Sequence, residues 1–387
     1  MRLAIITTHP IQYYAPVFKL LNEAQQINII VFYTWGQKAT EKFDPGFGKN
    51  IDWDIPLLQG YDYEWVKNTS TDPGSHHFKG IINPELIARV NTWQPDALLV
   101  FGWAYHSHLK AIRYFKTRIP VYFRGDSTLL DVQNGFKALL RSVFLKWVYR
   151  HIDHALYVGT NNKAYFKKYG LKDEQLSFAP HAVDNDRFIA DRTDEALKLR
   201  QNIGIPAGDV LILFAGKLEQ KKSPLLLLDA FLALGKPNIH LLFVGNGIME
   251  APIQTKSSNH KNIHFINFQN QSLMPVVYQA CDLFCLPSKG PAETWGLAVN
   301  EAMAAGKPVL VSDKVGCAID LVIPGFTGDI FESENLSDIT EKLRLLTNDK
   351  SQLKILGTNA KNKIAEWSFS KQVAAILNKI KDNHASQ

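Results

Sequence analysis

The sequence contains few cysteines. Only three occur among its 387 residues, Cys281, Cys285 and Cys317. Three thiols cannot form the disulfide framework of a small secreted protein, so we expect a reducing, cytoplasmic setting. No histidines stand in pairs near them at the spacing of zinc ligands, so a zinc site built on these cysteines is not expected.

Long apolar runs are also missing. No stretch reaches the roughly 18 residues that a membrane-spanning helix needs. The N-terminus, MRLAIITTHP, has only a short apolar stretch, which predicts a buried first strand rather than a signal peptide. With 46% hydrophobic and 21% charged residues the composition is typical of a globular protein. The length suggests two or three domains of about 150 residues.

Acidic residues are scarce between residues 101 and 150, where the chain has nine basic residues and two acidic ones. The whole chain has a net charge of +6, so this one segment accounts for the excess. Such a concentration favours a phosphate-bearing partner or an anionic membrane surface for the N-terminal half. An ordinary solvated helix face is the alternative. We expect no nucleic-acid partner.

The same segment contains FKALLRSVFLKWVYRHI, which predicts a helix over residues 136–151. Its apolar positions form one stripe at about 100° per residue. They are Phe136, Leu139, Leu140, Val143, Phe144, Trp147 and Val148, flanked by Lys137 and Arg141 on one side and by Lys146 and Arg150 on the other. This arrangement suits a helix lying in a membrane surface, because basic heads reach lipid phosphates while the apolar face sinks in. A core helix with basic side chains at its rim would give the same pattern.

Strand-like runs alternate with helical periods along the chain, which predicts parallel sheets built from βαβ units. In the first half the predicted strands cover residues 3–7, 29–33, 97–102, 121–124 and 155–158, while residues 38–83 show no clear period. The pattern restarts at VLILFAGK, so we expect an α/β protein with two Rossmann-like, doubly wound domains facing a central cleft. The predicted boundaries are 1–188, 189–366 and a C-terminal helix within 367–387 that packs back on the first domain. Neither domain shows GxGxxG opening a helix after its first strand, which disfavours a nicotinamide enzyme.

A candidate anion site lies in the sequence LFCLPSKGPAETWGLAVNEAMAAGKPVLVSD, at residues 283–313. It predicts a buried strand, a loop and a helix beginning near Gly296. The amides of residues 294–297 (Thr294, Trp295, Gly296 and Leu297) would then lie at the helix N-terminus, which suits a phosphate. Glu293 and Glu301 would be poor phosphate ligands but good acceptors for hydroxyl groups. A solvated helix with a loop glutamate is the alternative.

A second candidate element is FAGKLEQKKSPLLLLDAF, at residues 214–231. Gly216 and Lys217 leave the end of a strand, and Lys222 stands just before the next helix. Each ammonium group near a diphosphate would contribute about 4 kcal/mol of gross Coulomb energy at about 4 Å and an effective dielectric near 20. A nucleoside-diphosphate leaving group gains negative charge as its bond breaks, so cations or a metal must stabilise it. Lys221 is expected to be a solvated neighbour.

These residues carry a resemblance. ETWGLAVNE resembles the E-x7-E signature of retaining glycosyltransferases of family 4, which have the GT-B fold. GKLEQKKSP is similar to their G-R-L-x-x-x-K-G segment, with Lys217 in place of arginine and Ser223 in place of glycine. VGNG, INF, LPS and AAGKPVLVSD also match in order across residues 210–331. PHAVDNDRF resembles the family's P-N-G-V-D hinge but departs from it at His181 and Ala182.

The resemblance implies transfer of a sugar from a nucleotide-sugar with retention and without an essential metal or other cofactor. Carried over by position, Lys217 and Lys222 would hold the diphosphate, Glu293 the sugar hydroxyls and Glu301 the ribose. The amides of 294–297 would cradle a phosphate, and Asn267, Phe268 and Gln269 would frame the base. The leaving phosphate itself would take the acceptor proton, so no protein nucleophile is required.

The first domain would bind the acceptor. Where many relatives place a histidine the sequence reads YFRGDS, so Asp126 could accept a hydrogen bond from the acceptor hydroxyl and Arg124 could bind a phosphate. A structural Arg–Asp pair is the alternative. The loop THPIQYY after the first strand offers three acceptor-side candidates, His9, Gln12 and Tyr13. Ordinary packing of these side chains within the loop is the alternative. A further acceptor-side candidate is His106.

Three alternatives remain. The D-x-D patterns Asp52/Asp54 and Asp184/Asp186 are compatible with a metal-dependent GT-A transferase, although D-x-D alone is weak evidence for one. A nucleotide-sugar epimerase of GT-B architecture would need no acceptor, and a partner subunit could keep the fold without catalysis. For a transferase, the acceptor could be a glycan, a lipid-linked saccharide or a small molecule. We expect a cytoplasmic protein that is peripheral on the inner face of the cell membrane if the 136–151 helix binds lipid.

Overall fold

The computed structural model of the chain describes residues 1–37, 43–44, 49–131, 135–291 and 293–385. The chain divides into two compact units. Unit 1 consists of Met1–Lys42, Pro56–His181 and Phe369–Gln387, and unit 2 consists of Phe43–Ile55 and Ala182–Ser368. Each unit contains one parallel β-sheet.

Strands and helices alternate through both units. The strands are β1 (Arg2–Thr7), β2 (Asn28–Tyr33), β3 (Phe43–Asp44), β4 (Lys49–Asn50), β5 (Asp62–Trp65), β6 (Ala97–Phe101), β7 (Val121–Arg124), β8 (His154–Tyr157), β9 (Leu176–Phe178), β10 (Val210–Ala215), β11 (Ile239–Val244), β12 (Ile263–Ile266), β13 (Leu283–Leu286), β14 (Val309–Ser312) and β15 (Gly328–Phe331). The helices are α1 (Ala15–Glu23), α2 (Leu86–Trp93), α3 (His106–Phe115), α4 (Phe136–Tyr149), α5 (Thr160–Lys168), α6 (Asn185–Ile189), α7 (Thr193–Asn202), α8 (Pro224–Leu234), α9 (Glu250–Ser257), α10 (Met274–Ala280), α11 (Leu297–Ala304), α12 (Ala318–Leu321), α13 (Leu336–Leu346), α14 (Lys350–Ile364) and α15 (Phe369–Ala385).

The sheet of unit 1 has seven parallel strands in the order β5-β2-β1-β6-β7-β8-β9. Its central strands, such as β1 and β6, are almost wholly buried because helices cover both faces, so their middle residues are apolar in an unbroken run rather than alternating. The five strands predicted for this half are confirmed to within one residue at each end. The strands β5 and β9 were missed, since DYEW and LSF are short and partly polar.

The sheet of unit 2 has six parallel strands in the order β12-β11-β10-β13-β14-β15. The strand order reverses between β10 and β13, so the loops that follow these two strands diverge to opposite faces and leave a crevice at their carboxyl ends. Every residue of β10 and β11 is buried. Two doubly wound parallel sheets confirm the predicted α/β fold class.

Part of the stretch without a predicted period belongs to unit 2. Its strands β3 and β4 pair antiparallel, and the segment Phe43–Ile55 is assigned to unit 2 although its sequence neighbours on both sides belong to unit 1. Residues 38–42 and 45–48 of this stretch lie outside the described residues.

The last helix, α15, is part of unit 1 and packs against α1. Its apolar stripe includes Ile376, Leu377 and Ile380, all buried. Lys381 Nζ donates to Gln26 Oε1 at 2.6 Å beside this contact. The last helix of the chain therefore packs against its first helix within unit 1.

Candidate donor site

The candidate site lies at the carboxyl edge of the unit 2 sheet, where the strand order reverses. The loop after β10 carries Gly216, Lys217 and Lys222, and the loop after β13 carries Ser288 and Glu293. A backbone hydrogen bond from Lys289 N to Lys221 O, 2.9 Å long, joins the two loops. Crevices at such reversals are the usual ligand sites of open parallel sheets.

Lys222 and Glu293 meet directly in this crevice. The Lys222 ammonium contacts Oε2 of Glu293, and Ser288 Oγ donates to the same oxygen at 2.8 Å. Glu293 is 8% exposed, so its charge is compensated where water has little access. The structure thus brings together two of the predicted site residues, 71 positions apart, and adds a serine that bonds to the same carboxylate oxygen.

Lys217 and Gly216 lie in the same loop, five and six residues before Lys222. Gly216 closes β10 by donating to Val244 O at 2.9 Å, and Lys217 follows it half-buried. The predicted placement of both residues at the end of a strand is what the structure shows.

The N-terminus of α11 forms another wall. The helix begins at Leu297 after Gly296, whose φ of +95° lies in the left-handed region that favours glycine. Cys317 N donates to Trp295 O at 2.9 Å, which fixes the turn. The Trp295 indole N–H donates to Asn300 Oδ1 at 2.8 Å inside the protein, so this side chain supports the turn while the backbone of 294–297 lies at the positive end of the helix dipole.

Glu301 lies one turn into α11. It is 4% exposed, and Tyr278 of α10 donates its hydroxyl to Glu301 Oε2 at 2.9 Å. Tyr278 therefore orients this carboxylate inside the protein.

The loop predicted to frame a base follows β12. Asn246 holds it, because its Oδ1 accepts from Phe268 N and its Nδ2 donates to Asn267 Oδ1, both at 2.9 Å. Gln269 Nε2 donates back to Asn267 O at 2.9 Å. The loop is therefore fixed by its own polar side chains and by one residue of the VGNG sequence.

The first D-x-D sequence serves as an anchor on this loop. Asn270 Nδ2 donates to Asp52 O at 2.5 Å, and Ser272 N donates to Asp54 Oδ1 at 3.1 Å. Trp53 between them contacts the Phe268 ring, with centroids 6.3 Å apart. The second D-x-D sequence begins with the cap of α6, where Asp184 accepts from Arg187 N. The GT-A alternative is wrong in its fold, since each unit is a doubly wound parallel-sheet domain.

The acceptor-side candidates lie at the carboxyl edge of the unit 1 sheet. His9 follows β1, bonds through Nδ1 to Thr8 Oγ1 at 2.9 Å and contacts the Trp35 ring edge-on. Gln12 and Tyr13 are half-buried in the turn before α1. The structure places these three in one loop, and their role in acceptor binding stays a prediction.

Arg124 and Asp126 follow β7 at the same edge. Arg124 is 1% exposed and donates to Ala179 O at 2.8 Å and to Pro180 O at 2.9 Å, an arrangement that favours a structural role. Burial lowers its pKa to about 10. Burial and the nearby Asp126 carboxylate raise the pKa of Tyr14, which sequence reasoning overlooked beside the chosen Tyr13. Asp126 itself is half-buried.

His106 is exposed at the start of α3, where its ring contacts Phe78. His108, two residues on, is fully buried. Its Nδ1 lies 2.9 Å from Gly102 O and its Nε2 lies 2.7 Å from Thr34 Oγ1, and burial lowers its pKa to about 4. His108 therefore holds the loop after β6 as a neutral imidazole.

Sequence reasoning missed the partners of the predicted residues. Ser288 stands in the LPS match and Asn246 in the VGNG match, so motif position could have found both. Tyr278 lies outside any motif and Trp53 is the variable residue of the first D-x-D sequence, and only the folded chain brings them to Glu301 and Phe268.

The fold places the chain in the GT-B class. Sucrose-phosphate synthase of Thermosynechococcus elongatus is 16% identical and superimposes with a TM-score of 0.75 over all of both chains. HepE of Anabaena, solved in complex with UDP, is 18% identical with a TM-score of 0.73, again over all of both chains. At such identities the likeness shows the fold alone.

Part of unit 2 matches the model of a known family. Residues 196–363 match Glycosyl transferases group 1, and this range includes every donor-side residue predicted above. A curated relative, the D-inositol 3-phosphate glycosyltransferase of Nocardia farcinica, is 26% identical over 223 residues, which are 54% of this chain and 48% of the relative. The sulfoquinovosyl transferase of Arabidopsis thaliana is 24% identical over 314 residues, 77% of this chain and 58% of the relative. The chain thus spans about half the length of these relatives.

Proposed function

We propose that the protein is a retaining glycosyltransferase of family 4. It moves a hexosyl-type sugar from a nucleoside-diphosphate sugar to an acceptor hydroxyl, without an essential metal, in the synthesis of a cell-surface glycan or glycolipid. The two curated relatives above are named as transferases of sugar groups, and HepE was solved with UDP and with UDP-glucose, which supports a nucleotide-sugar donor.

The observation that carries the proposal is the cluster of Lys222, Glu293 and Ser288 beside the N-terminus of α11. A diphosphate in this crevice would meet an ammonium group and the positive end of a helix dipole. Glu293 would accept hydrogen bonds from sugar hydroxyls while its charge stays compensated by Lys222. One crevice would thus bind the two chemically different ends of a nucleotide-sugar.

The chain's own residues account for the charge that develops in the reaction. As the bond between the anomeric carbon and the diphosphate breaks, negative charge grows on the phosphate oxygens, and Lys222 with the backbone dipoles stabilises it. The departing phosphate oxygen takes the proton of the attacking acceptor hydroxyl on the same face. The sugar therefore keeps its anomeric configuration without a protein nucleophile.

The activity test screens nucleotide-sugars by thermal shift, because a ligand that binds only the folded protein raises its apparent stability. The stabilising donor is then incubated with candidate acceptors, with and without EDTA. We expect product of unchanged anomeric configuration in both. Loss of product with EDTA would contradict metal independence, and isomerised donor without acceptor would identify an epimerase.

The site assignment is tested by a pair of neighbouring lysines. Lys222→Ala should lower product formation by about 100-fold, the usual cost of removing one group that stabilises transition-state charge. Lys221→Ala is the matched control, since Lys221 pairs with Glu219 at 3.3 Å and should be nearly neutral. Equal activity of a folded Lys222→Ala variant would contradict the assignment, and no transfer by the wild type with any donor would favour a non-catalytic subunit.

We also propose that α4 binds an anionic membrane surface. Its core-facing side chains are Leu145, Val148 and Tyr149, which leaves most of the predicted apolar stripe outside. Phe136 is 73% exposed, Leu139 61% and Val143 62%. Contiguous exposed apolar side chains flanked by basic residues are typical of an interaction surface. No helix in the described ranges is long and apolar enough to cross a bilayer.

Liposome sedimentation tests this surface. The wild type should sediment with vesicles that contain phosphatidylglycerol and much less with pure phosphatidylcholine. Replacing Leu139 and Val143 by serine should abolish the difference, whereas Leu345→Ser with Ile355→Ser, at comparably exposed positions of unit 2, should preserve it. Equal sedimentation with both vesicle types would contradict the proposal.

A further inference from the structure

The loop between β5 and α2 brings two imidazoles and a carboxylate to one point. Asp72 Oδ2 lies 3.3 Å from His76 Nε2 and 3.2 Å from His77 Nε2. One ligand atom from each residue lies within 4.8 Å of the other two, and no other such group of three occurs among the described residues. The function proposed above makes no use of this cluster.

These separations are those of ligands around a tetrahedral ion. Zn²⁺ holds imidazole nitrogen and carboxylate oxygen at about 2.0–2.2 Å, which places neighbouring ligand atoms about 3.3–3.5 Å apart. Two imidazoles with a carboxylate suit Zn²⁺ and similar first-row ions better than Mg²⁺ or Ca²⁺. We propose that Asp72, His76 and His77 form a transition-metal site, with Zn²⁺ as its probe ion.

The loop is built to hold its ligands before an ion arrives. Asn68 Oδ1 accepts from Ser70 N at 3.1 Å and from Ile82 N at 2.9 Å, which closes the base of the loop. Ser70 Oγ then accepts from Asp72 N at 3.2 Å. Asn83 Nδ2 donates to Val66 O and Lys67 O and so fixes the loop's two ends together. A prearranged set of ligands loses less conformational entropy on binding.

A close backbone approach inside the loop supports the same arrangement. Gly74 N donates to Gly80 O at 3.1 Å, and a Cβ at Gly80 would lie 2.0 Å from Gly74 O. Glycine is therefore required for the crossing that turns His76 and His77 back toward Asp72.

The site is accessible. The side chains of Asp72, His76 and His77 are 70%, 62% and 36% exposed, so an ion can enter without any opening of the fold. His77 Nε2 also lies 2.9 Å from Asp72 O, so without metal a proton on this nitrogen has an acceptor that the ion would replace. Three protein ligands leave a coordination position for water or another ligand.

The coordination position that the three protein ligands leave open lies beside a groove. His76 and His77 line an apolar groove of about 570 Å³ together with Phe78, Trp103 and Trp147. An oxygen atom of a molecule in that groove could complete the coordination. The site is thus of the open type, unlike closed structural zinc sites with four protein ligands.

The test is calorimetric titration of tag-free protein with ZnCl₂ at pH 7.5, with wild type, His76→Ala and His77→Ala. The three cysteines are buried and should not compete. We expect one Zn²⁺ per chain, bound more than about 10-fold more weakly by either variant, because loss of a direct ligand should cost at least as much as loss of an outer-shell partner.

The matched control is His264→Ala. His264 Nε2 lies 3.0 Å from His240 Nδ1, and Asp209 Oδ2 lies 3.0 Å from the other ring nitrogen of His240. These three residues therefore form a row, and their ligand atoms do not meet at one point. The control should bind Zn²⁺ like the wild type. Unchanged binding in both loop variants, or no saturable binding below about 100 µM in the wild type, would overturn the proposal. Equal melting temperatures of the metal-free proteins show that the variants are folded.

Discussion

At the scale of single residues, the contact between Lys222 and Glu293 explains how the candidate donor site can hold a carboxylate and a diphosphate side by side. The ammonium group has three donor positions, and one of them is used by the carboxylate. The others remain for phosphate oxygens. A carboxylate can therefore lie beside a diphosphate because the lysine between them compensates both.

This arrangement gives opposite expectations for binding and turnover in Glu293→Gln. The amide keeps a hydrogen-bond acceptor but removes a negative charge near the phosphates, so a nucleoside diphosphate should bind as well or a few-fold more tightly. Product formation should fall by about 100-fold, since the neutral oxygen is a weaker acceptor for sugar hydroxyls in the transition state. Titration calorimetry and initial rates measure the two effects. Weaker diphosphate binding with normal turnover would exclude this role.

His108 predicts a pH dependence of stability. Burial lowers its pKa to about 4, below the unfolded value of about 6.5. As the pH falls from 6.5 toward 4 the unfolded chain takes up the proton first, so the neutral folded form loses stability, by about 3 kcal/mol in total. Above pH 6.5 this contribution is fully present.

Denaturant unfolding at pH 7 and pH 4.5 measures this contribution. The stability of His108→Gln should fall less between the two pH values than that of the wild type. His106→Gln, two residues away at an exposed position, should keep the wild-type dependence. An identical slope in His108→Gln would show that other groups cause the loss.

The residues of the donor site could be predicted individually but not their contacts. Lys222 and Glu293 stand in motif matches, and a cation or a carboxylate has an evident role beside a diphosphate. Their pairing spans 71 positions of sequence and depends on which strands are neighbours. For Arg124 the residue type was a poorer guide. It suggested a phosphate ligand, whereas two of its nitrogens donate to Ala179 O and Pro180 O.

At the scale of elements, the segment around Trp53 has a role that its sequence does not reveal. It is assigned to unit 2, and its hydrogen bonds to Asn270 and Ser272 lie next to the loop proposed to frame the base. Strands such as β1 and β10 were predictable because buried apolar runs have few alternatives. Residues 49–55 combine polar and aromatic residues without a period, so only the fold defines their partners.

We predict that Asp54 supports nucleotide binding through the loop after β12. Asp54→Ala removes the acceptor of Ser272 N and should weaken nucleoside-diphosphate binding several-fold, with little change in melting temperature, because the contact is exposed. Asp62→Ala, at an exposed position of β5 in unit 1, is the control. Fluorescence titration with UDP measures the affinities. Equal affinity of Asp54→Ala and wild type would separate the segment from the donor site.

At the scale of the whole molecule, the first and last helices of the chain belong to the same unit and pack against each other. The final helix α15 packs against α1, and its side chains Ile376, Leu377 and Ile380 are buried. The sequence predicted a C-terminal helix that packs back on the first domain, but periodicity does not identify α1 as its partner, since many helices offer an apolar stripe.

The stability of unit 1 should therefore depend on residues at the far end of the chain. Ile376→Ala should cost about 2–5 kcal/mol, because it opens a cavity at a fully buried position. Asn378→Ala, exposed on the same helix, should change stability by less than about 0.5 kcal/mol. Because two units need not unfold together, hydrogen exchange is the suitable measurement. Amides of α1 should exchange faster in Ile376→Ala while those of β10 in unit 2 keep their protection. Faster exchange confined to unit 2 would contradict this prediction. The helix α15 would then stabilise the sheet of unit 2 rather than that of unit 1.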